Sequence, residues 1–142
     1  MHFTTTITID RPAAEVFAFL AQFENMPQWN YAISETHKVS IGRIDVGARY
    51  EQTRTLPTRR TETFEVTAYE PDRKLAIRGT FGPLPGRFTY ELEPMGDLTR
   101  LINTVDLEPS GLVGIVAPLM TSRVQAAVAA NLDALKQLLE SA

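Results

Sequence analysis

The sequence predicts an α+β fold: seven antiparallel strands, two short helices after the first of them, and one long C-terminal helix. Three observations carry the prediction. From residue 31 to 108 apolar residues recur with a period of two, the pattern of half-buried strands. The gaps between these runs are short, which suits antiparallel hairpins, because a parallel crossover needs about a dozen residues or more. From Leu119 to Glu140 the period becomes helical, with a wide apolar stripe.

Residues 2–10, the first strand, alternate, with Phe3, Thr5, Ile7 and Ile9 on the inward side, and threonine and isoleucine suit a pleated surface. Asp10 then precedes Arg11-Pro12-Ala13-Ala14-Glu15, where an acidic cap, an early proline and a first-turn glutamate open a helix. Val16, Phe17, Phe19 and Leu20 form its apolar side, and it ends near Gln22. A second short helix or turn covers Phe23 to Asn30, because Pro27 prevents a long continuous helix.

Six strands are expected near 32–41, 47–56, 59–70, 73–81, 86–94 and 98–108. Pro71-Asp72 and Met95-Gly96-Asp97 read as tight turns, and Gly82-Pro83-Leu84-Pro85-Gly86 as a longer loop stiffened by two prolines. The apolar sets are Phe64, Val66 and Ala68; Leu75, Ile77, Gly79 and Phe81; Phe88, Tyr90 and Leu92; and Leu101, Val105 and Leu107, the last sharing a face with Asn103. One buried and one wet face is the antiparallel arrangement. Ser110-Gly111-Leu112-Val113-Gly114 breaks the pattern, Ile115 to Pro118 is an apolar lead-in, and Pro118 belongs in the first helical turn or at a kink.

Composition narrows the class of molecule. At 142 residues, with 44% hydrophobic and 22% charged positions, residues 1–142 are expected to form a single domain. Seventeen acidic against fourteen basic residues leave a net charge of −3 with no basic stripe, which argues against a nucleic-acid partner. There is no cysteine, so disulfide and thiolate chemistry are excluded. The two histidines show no metal-ligand spacing, and neither a phosphate-binding loop nor a Gly-x-Ser-x-Gly elbow occurs; no metal and no cofactor are expected. No apolar run approaches the roughly 20 residues of a membrane span, and the first residues lack a signal peptide's regions. The expectation is a soluble, cytoplasmic chain, monomeric or homodimeric.

Several segments resemble the START-like superfamily often called SRPBCC, in its polyketide cyclase/dehydrase-like branch. They are Ile9-Asp10-Arg11-Pro12-Ala13-Ala14-Glu15-Val16-Phe17, Pro27-Gln28-Trp29, Val46-Gly47-Ala48-Arg49-Tyr50, Glu70-Pro71-Asp72-Arg73-Lys74-Leu75, and Leu132-Asp133-Ala134-Leu135-Lys136 with Glu140. Their order and spacing span nearly the whole chain. The resemblance implies a helix-grip architecture, a strongly curved seven-stranded sheet wrapped around the long helix with a cavity between them. Members bind lipids, sterols, polyketides or other hydrophobic molecules, and a minority catalyse cyclisation or dehydration. They share no catalytic motif, so the fold licenses no activity by itself.

Polar residues of inward parity are the candidates for chemistry, because burying them unpaired costs a few kcal/mol. Tyr50, Gln52, Arg54 and Leu56 share one face of a strand, and Glu35, His37, Val39 and Ile41 one face of the preceding strand. With Tyr90 and Asn103 they outline a polar lining that would orient a carbonyl, hydroxyl or carboxylate. Arg54 and Glu35 would otherwise pair with each other, or a bulge would put them in water. Phe64, Ile77 and Phe81 would supply apolar wall, with Met120, Val124, Ala127, Val128 and Asn131 from the long helix. Trp29 either closes one end of the pocket or packs in the core, and the 82–86 loop either gates the opening or is a plain hairpin end. Small-molecule binding is the leading expectation. The alternative is a cyclase or dehydratase using His37 (with Glu35), Tyr90 or Arg54, and a third is a protein-interaction module.

Overall fold

The structure, a computed structural model, describes residues 1–108 and 117–141. Strand β1 (His2–Ile9) is followed by helix α1 (Ala13–Ala21) and a 3-10 helix (Phe23–Gln28). Six strands come next: β2 (Ile33–Lys38), β3 (Arg49–Arg54), β4 (Arg60–Glu70), β5 (Lys74–Phe81), β6 (Leu84–Met95) and β7 (Leu98–Leu107). Helix α2 (Ala117–Glu140) ends the described chain, with Pro118 in its first turn. The expected break at 110–114 and the lead-in residues Ile115 and Val116 lie outside the described residues.

All strand pairs are antiparallel, in the order β1-β7-β6-β5-β4-β3-β2. The helices after β1 carry the chain from one edge of the sheet to the other, and simple hairpins then walk back until β7 pairs with β1. Gly79 and Gly86 face each other across β5 and β6. A Cβ on Gly86 would fall 2.8 Å from the Leu107 Cα and closer still to the Asp106 carbonyl oxygen. Adjacent backbones approach each other at this row as only glycine permits.

The start of α1 departs from expectation. Asp10 does not cap it; Pro12 holds the N-cap position without a side-chain bond, and its carbonyl accepts from the N–H groups of Glu15 and Val16. The N–H of Asp10 is instead taken by Glu140, at 2.8 Å. The expected long loop at 82–86 is also a two-residue turn. Gly82 has φ +63°, the sign that the first central residue of a tight hairpin requires, and Leu84, Pro85 and Gly86 already pair with β5.

One apolar cluster joins the inner face of the sheet to the helices. Phe23 of the 3-10 helix meets Tyr50 edge-on at 4.8 Å and Phe64 at 5.2 Å, while Tyr50 and Phe64 stack at 5.3 Å. Val16, Phe17 and Leu20 of α1 are buried beside them. Helix α2 buries Val128, Leu132, Leu135 and Leu139, whereas Met120 and Val124 nearer its start are half-buried. Its C-terminal end is tied down: Lys136 Nζ donates to the Thr8 carbonyl and to Glu140, and Arg11 donates to the Glu140 carbonyl.

Candidate functional site

Strand register brings Thr36, Gln52 and Glu62 side by side across β2, β3 and β4 on the inner face. Glu62 is the unexpected member. Its side chain is 1% exposed, yet it accepts from Gln52 Nε2 at 2.9 Å, from Arg54 Nε at 2.7 Å and from the Gly82 N–H, with Arg60 Nε at 3.9 Å. A buried carboxylate is tolerable only with such compensation. Arg54, 17% exposed, therefore pairs with Glu62 and not with Glu35. It does so through Nε, and its two Nη groups have no hydrogen-bond partner among the described residues. Glu62 was legible in principle, since it shares parity with Phe64 and Val66.

Farther along the inner face, Tyr90 sits opposite Asn103 on β6 and β7. Trp29 is buried at the end of the 3-10 helix and stands edge-on to Tyr90 at 6.5 Å. Asn103 donates to the Thr89 carbonyl at 3.1 Å. Burial drives the Tyr90 phenol far above the usual range, so it stays protonated and acts as a neutral hydrogen-bonding group. Burial, with Glu24 and Tyr69 nearby, pushes Tyr50 up to about 12.

The oxygens of this region matter more than its charges. Thr36 Oγ1, Gln52 Oε1, Asn103 Oδ1 and, on α2, Asn131 Oδ1 are buried with no hydrogen-bond partner among the described residues. Each such atom costs about 1–3 kcal/mol if left unmet. Phe64, Ile77 and Phe81 are buried inner-face neighbours, and Val128 is buried on α2.

Glu35 and His37 are not part of this face. A bulge at Ser34 puts Ile33 opposite Arg54 and Glu35 opposite Thr53, which reverses the parity of the rest of β2. Thr36 turns inward, whereas Glu35 and His37 face solvent with side chains 70% and 49% exposed. His37 lies 3.7 Å from both Glu35 and Glu51, on the far side of the sheet from Tyr90 and Arg54. Val39, Ile41 and Leu56 are exposed as well. A second bulge at Thr67 turns Ala68 away from Phe64 and Val66 and brings Tyr69 inward, where it meets Phe17 at 5.4 Å.

Two open clefts formed by described residues lie outside the space between sheet and α2. One, of about 460 Å³, runs between α1, Ile44 and the β4–β5 turn. The other, of about 480 Å³, crosses the sheet over Gly79 and Gly86 and is rimmed by Arg49, Arg78 and Glu108. Among the described residues no cluster of three His, Asp or Glu side chains is placed to hold a metal ion.

This architecture recurs in solved structures. TTHA0849 from Thermus thermophilus superposes with a TM-score of 0.82 at 15% identity, covering 99% of this chain and 98% of that one. The Zhui aromatase/cyclase from Streptomyces sp. R1128 gives 0.81 at 18% identity, covering 99% and 93%. A START superfamily protein from Mycobacterium smegmatis gives 0.75 at 16%, covering 97% and 98%. At these identities the likeness is one of fold. No curated protein matches the sequence. Residues 1–140 do match the family described as polyketide cyclase / dehydrase and lipid transport, and with the helix-grip sheet and its inward polar row this places the chain in that family.

Proposed function

We propose that the protein binds and carries a small, largely apolar molecule bearing a carbonyl or hydroxyl group, seated between the inner face of the sheet and α2. The observation that carries this reading is that, of the five buried side-chain oxygens without a hydrogen-bond partner among the described residues, four, those of Thr36, Gln52, Asn103 and Asn131, lie on the inner face or on α2 beside the apolar cluster, Thr67 at the β4 bulge being the fifth. Each such atom in a native structure calls for an explanation, and the polar group of a bound guest supplies one. The half-buried Met120 and Val124 supply flexible apolar wall near the start of α2. The unpartnered Nη groups of Arg54 would address a polar head. The family description, which includes lipid transport, agrees with this reading.

Native mass spectrometry of gently purified protein tests it. A co-purifying mass that is released on denaturation, and reduced in an Arg54→Met variant, is the expected result. Protein that is ligand-free from every source and gains no thermal stability from a panel of fatty acids, sterols and aromatic polyketides would overturn it.

A second reading is favoured by one observation, the neutral Tyr90 phenol opposite Asn103. A buried phenol that keeps its proton can hydrogen-bond an enolisable carbonyl and stabilise the charge that develops on its oxygen. Cyclisation or dehydration of a polyketide-like substrate would use that interaction, with Arg54 as orienting group. His37 has no place in it. Tyr90→Phe removes the hydroxyl with little change of shape. It should abolish turnover of a candidate substrate while leaving binding largely intact; unchanged turnover eliminates this reading.

A further inference from the structure

Amide orientation decides what the inner-face oxygens can bind. Gln52 Nε2 donates to the Glu62 carboxylate at 2.9 Å, and Asn103 Nδ2 donates to the Thr89 carbonyl at 3.1 Å. Both partners are acceptors, so turning either amide over would set oxygen against oxygen. Gln52 Oε1 and Asn103 Oδ1 are thereby fixed as the atoms left without a partner among the described residues, on side chains of residues 2% and 1% exposed. An amide oxygen accepts and never donates, so only an O–H or N–H can meet it. Each of the two also has a hydroxyl beside it. Gln52 stands opposite buried Thr36, whose Oγ1 is unpartnered as well. Asn103 stands opposite Tyr90, whose buried hydroxyl makes no hydrogen bond to another described residue.

We infer, resting on the carrier reading above, that the guest donates hydrogen bonds at both ends: an apolar body with two hydroxyl groups, one meeting Thr36 and Gln52 and the other Tyr90 and Asn103, as in a long-chain diol or a bisphenol. Each pair offers one acceptor and one hydroxyl able to donate. A guest hydroxyl, which both donates and accepts, answers the two together, whereas a ketone answers the hydroxyl and leaves the amide oxygen unmet. Phe64, Val66 and Ile77, buried on the strands between the pairs, suit the apolar body.

The probes are 1,12-dodecanediol and 2,11-dodecanedione, equal in chain length and flexible, of which only the diol donates. Three strand spacings separate β3 from β6, about 14 Å in all, a span that the chain covers. NMR titration of the full chain should give a Kd about tenfold or more lower for the diol. With one amide oxygen removed, in Gln52→Met or Asn103→Leu, that preference should narrow; the comparison on the native protein needs no variant. Equal affinity, or tighter binding of the dione, overturns the donor requirement and leaves the carrier reading standing. So does binding of neither probe by a protein that binds a fatty acid, a sterol or an aromatic polyketide. A preference unchanged in both variants overturns the two oxygens as its source. If no member of that panel binds either, the carrier reading and the two-hydroxyl guest fall together.

Discussion

Glu62 carries a carboxylate into the interior, and its three donors come from β3 and from the turn between β5 and β6. The pair it makes with Arg54 is therefore a structural joint of the inner face. Removing one partner leaves the other charge without compensation, whereas replacing both with apolar groups removes the desolvation cost as well. Glu62→Leu alone should lower stability by about 2–4 kcal/mol, and Glu62→Leu/Arg54→Met should recover most of it. Urea denaturation of the single and double variants beside the native protein checks this, and additive losses in the double variant would contradict the joint. Arg54, Gln52, Tyr90 and Asn103 were legible as inward polar residues because alternation around them is unbroken. Glu62 has the same parity as Phe64, but an acid beside an Arg-Arg hairpin reads as solvated until its partner is known. Charge identity outweighs parity in the sequence, and the Arg54 pairing reverses that order in the fold.

The elements obey the pattern wherever the ladder is regular. All seven strands, the short helices and α2 are present in the expected order, with β6 beginning two residues early at Leu84, because a period of two with short gaps leaves few other foldings. What the pattern hides is the single inserted residue. Ser34 and Thr67 carry no signature of a bulge, yet each reverses a face, sending Glu35 and His37 to solvent and Tyr69 inward. The close approach at Gly79 and Gly86 is testable at this scale. Ala is normally the better strand residue, but a Cβ on Gly86 meets the β7 backbone, which cannot swing aside as a side chain would. Gly86→Ala should cost about 2 kcal/mol or more, read as a lowered denaturation midpoint. The anchor of α2 gives a pH-dependent counterpart. Hydrogen bonds from Lys136 and the Asp10 N–H hold the Glu140 carboxyl below its usual range. With the folded value depressed, its contribution is complete above the ordinary glutamate range and is lost as pH falls through the folded value. The stability difference between the native protein and Glu140→Gln, measured by urea denaturation, should therefore shrink between about pH 6 and pH 3. A difference that stays constant would mean the carboxylate contributes nothing as a charge.

For the whole molecule, the proposed carrier role predicts a trade at the buried oxygens between stability when empty and affinity for a guest. Thr36 Oγ1 and Asn131 Oδ1 are buried without a hydrogen-bond partner among the described residues. Replacing them with apolar groups of similar size should leave stability unchanged or raise it, as happens where function has kept a costly polar group. The same change removes what a polar head would meet. A ligand that binds only the folded state stabilises it by about 2.7 kcal/mol at a hundredfold excess over its Kd, so the gain in melting temperature reads affinity directly. Thr36→Val and Asn131→Leu should each melt at or above the native temperature when empty, and each should show a smaller ligand-induced rise than the native protein. Two opposite signs from one substitution separate this account from simple core packing, in which both quantities fall together. If the empty variants are less stable and the ligand-induced rise is unchanged, these oxygens serve the fold, and the carrier reading loses the observation it rests on.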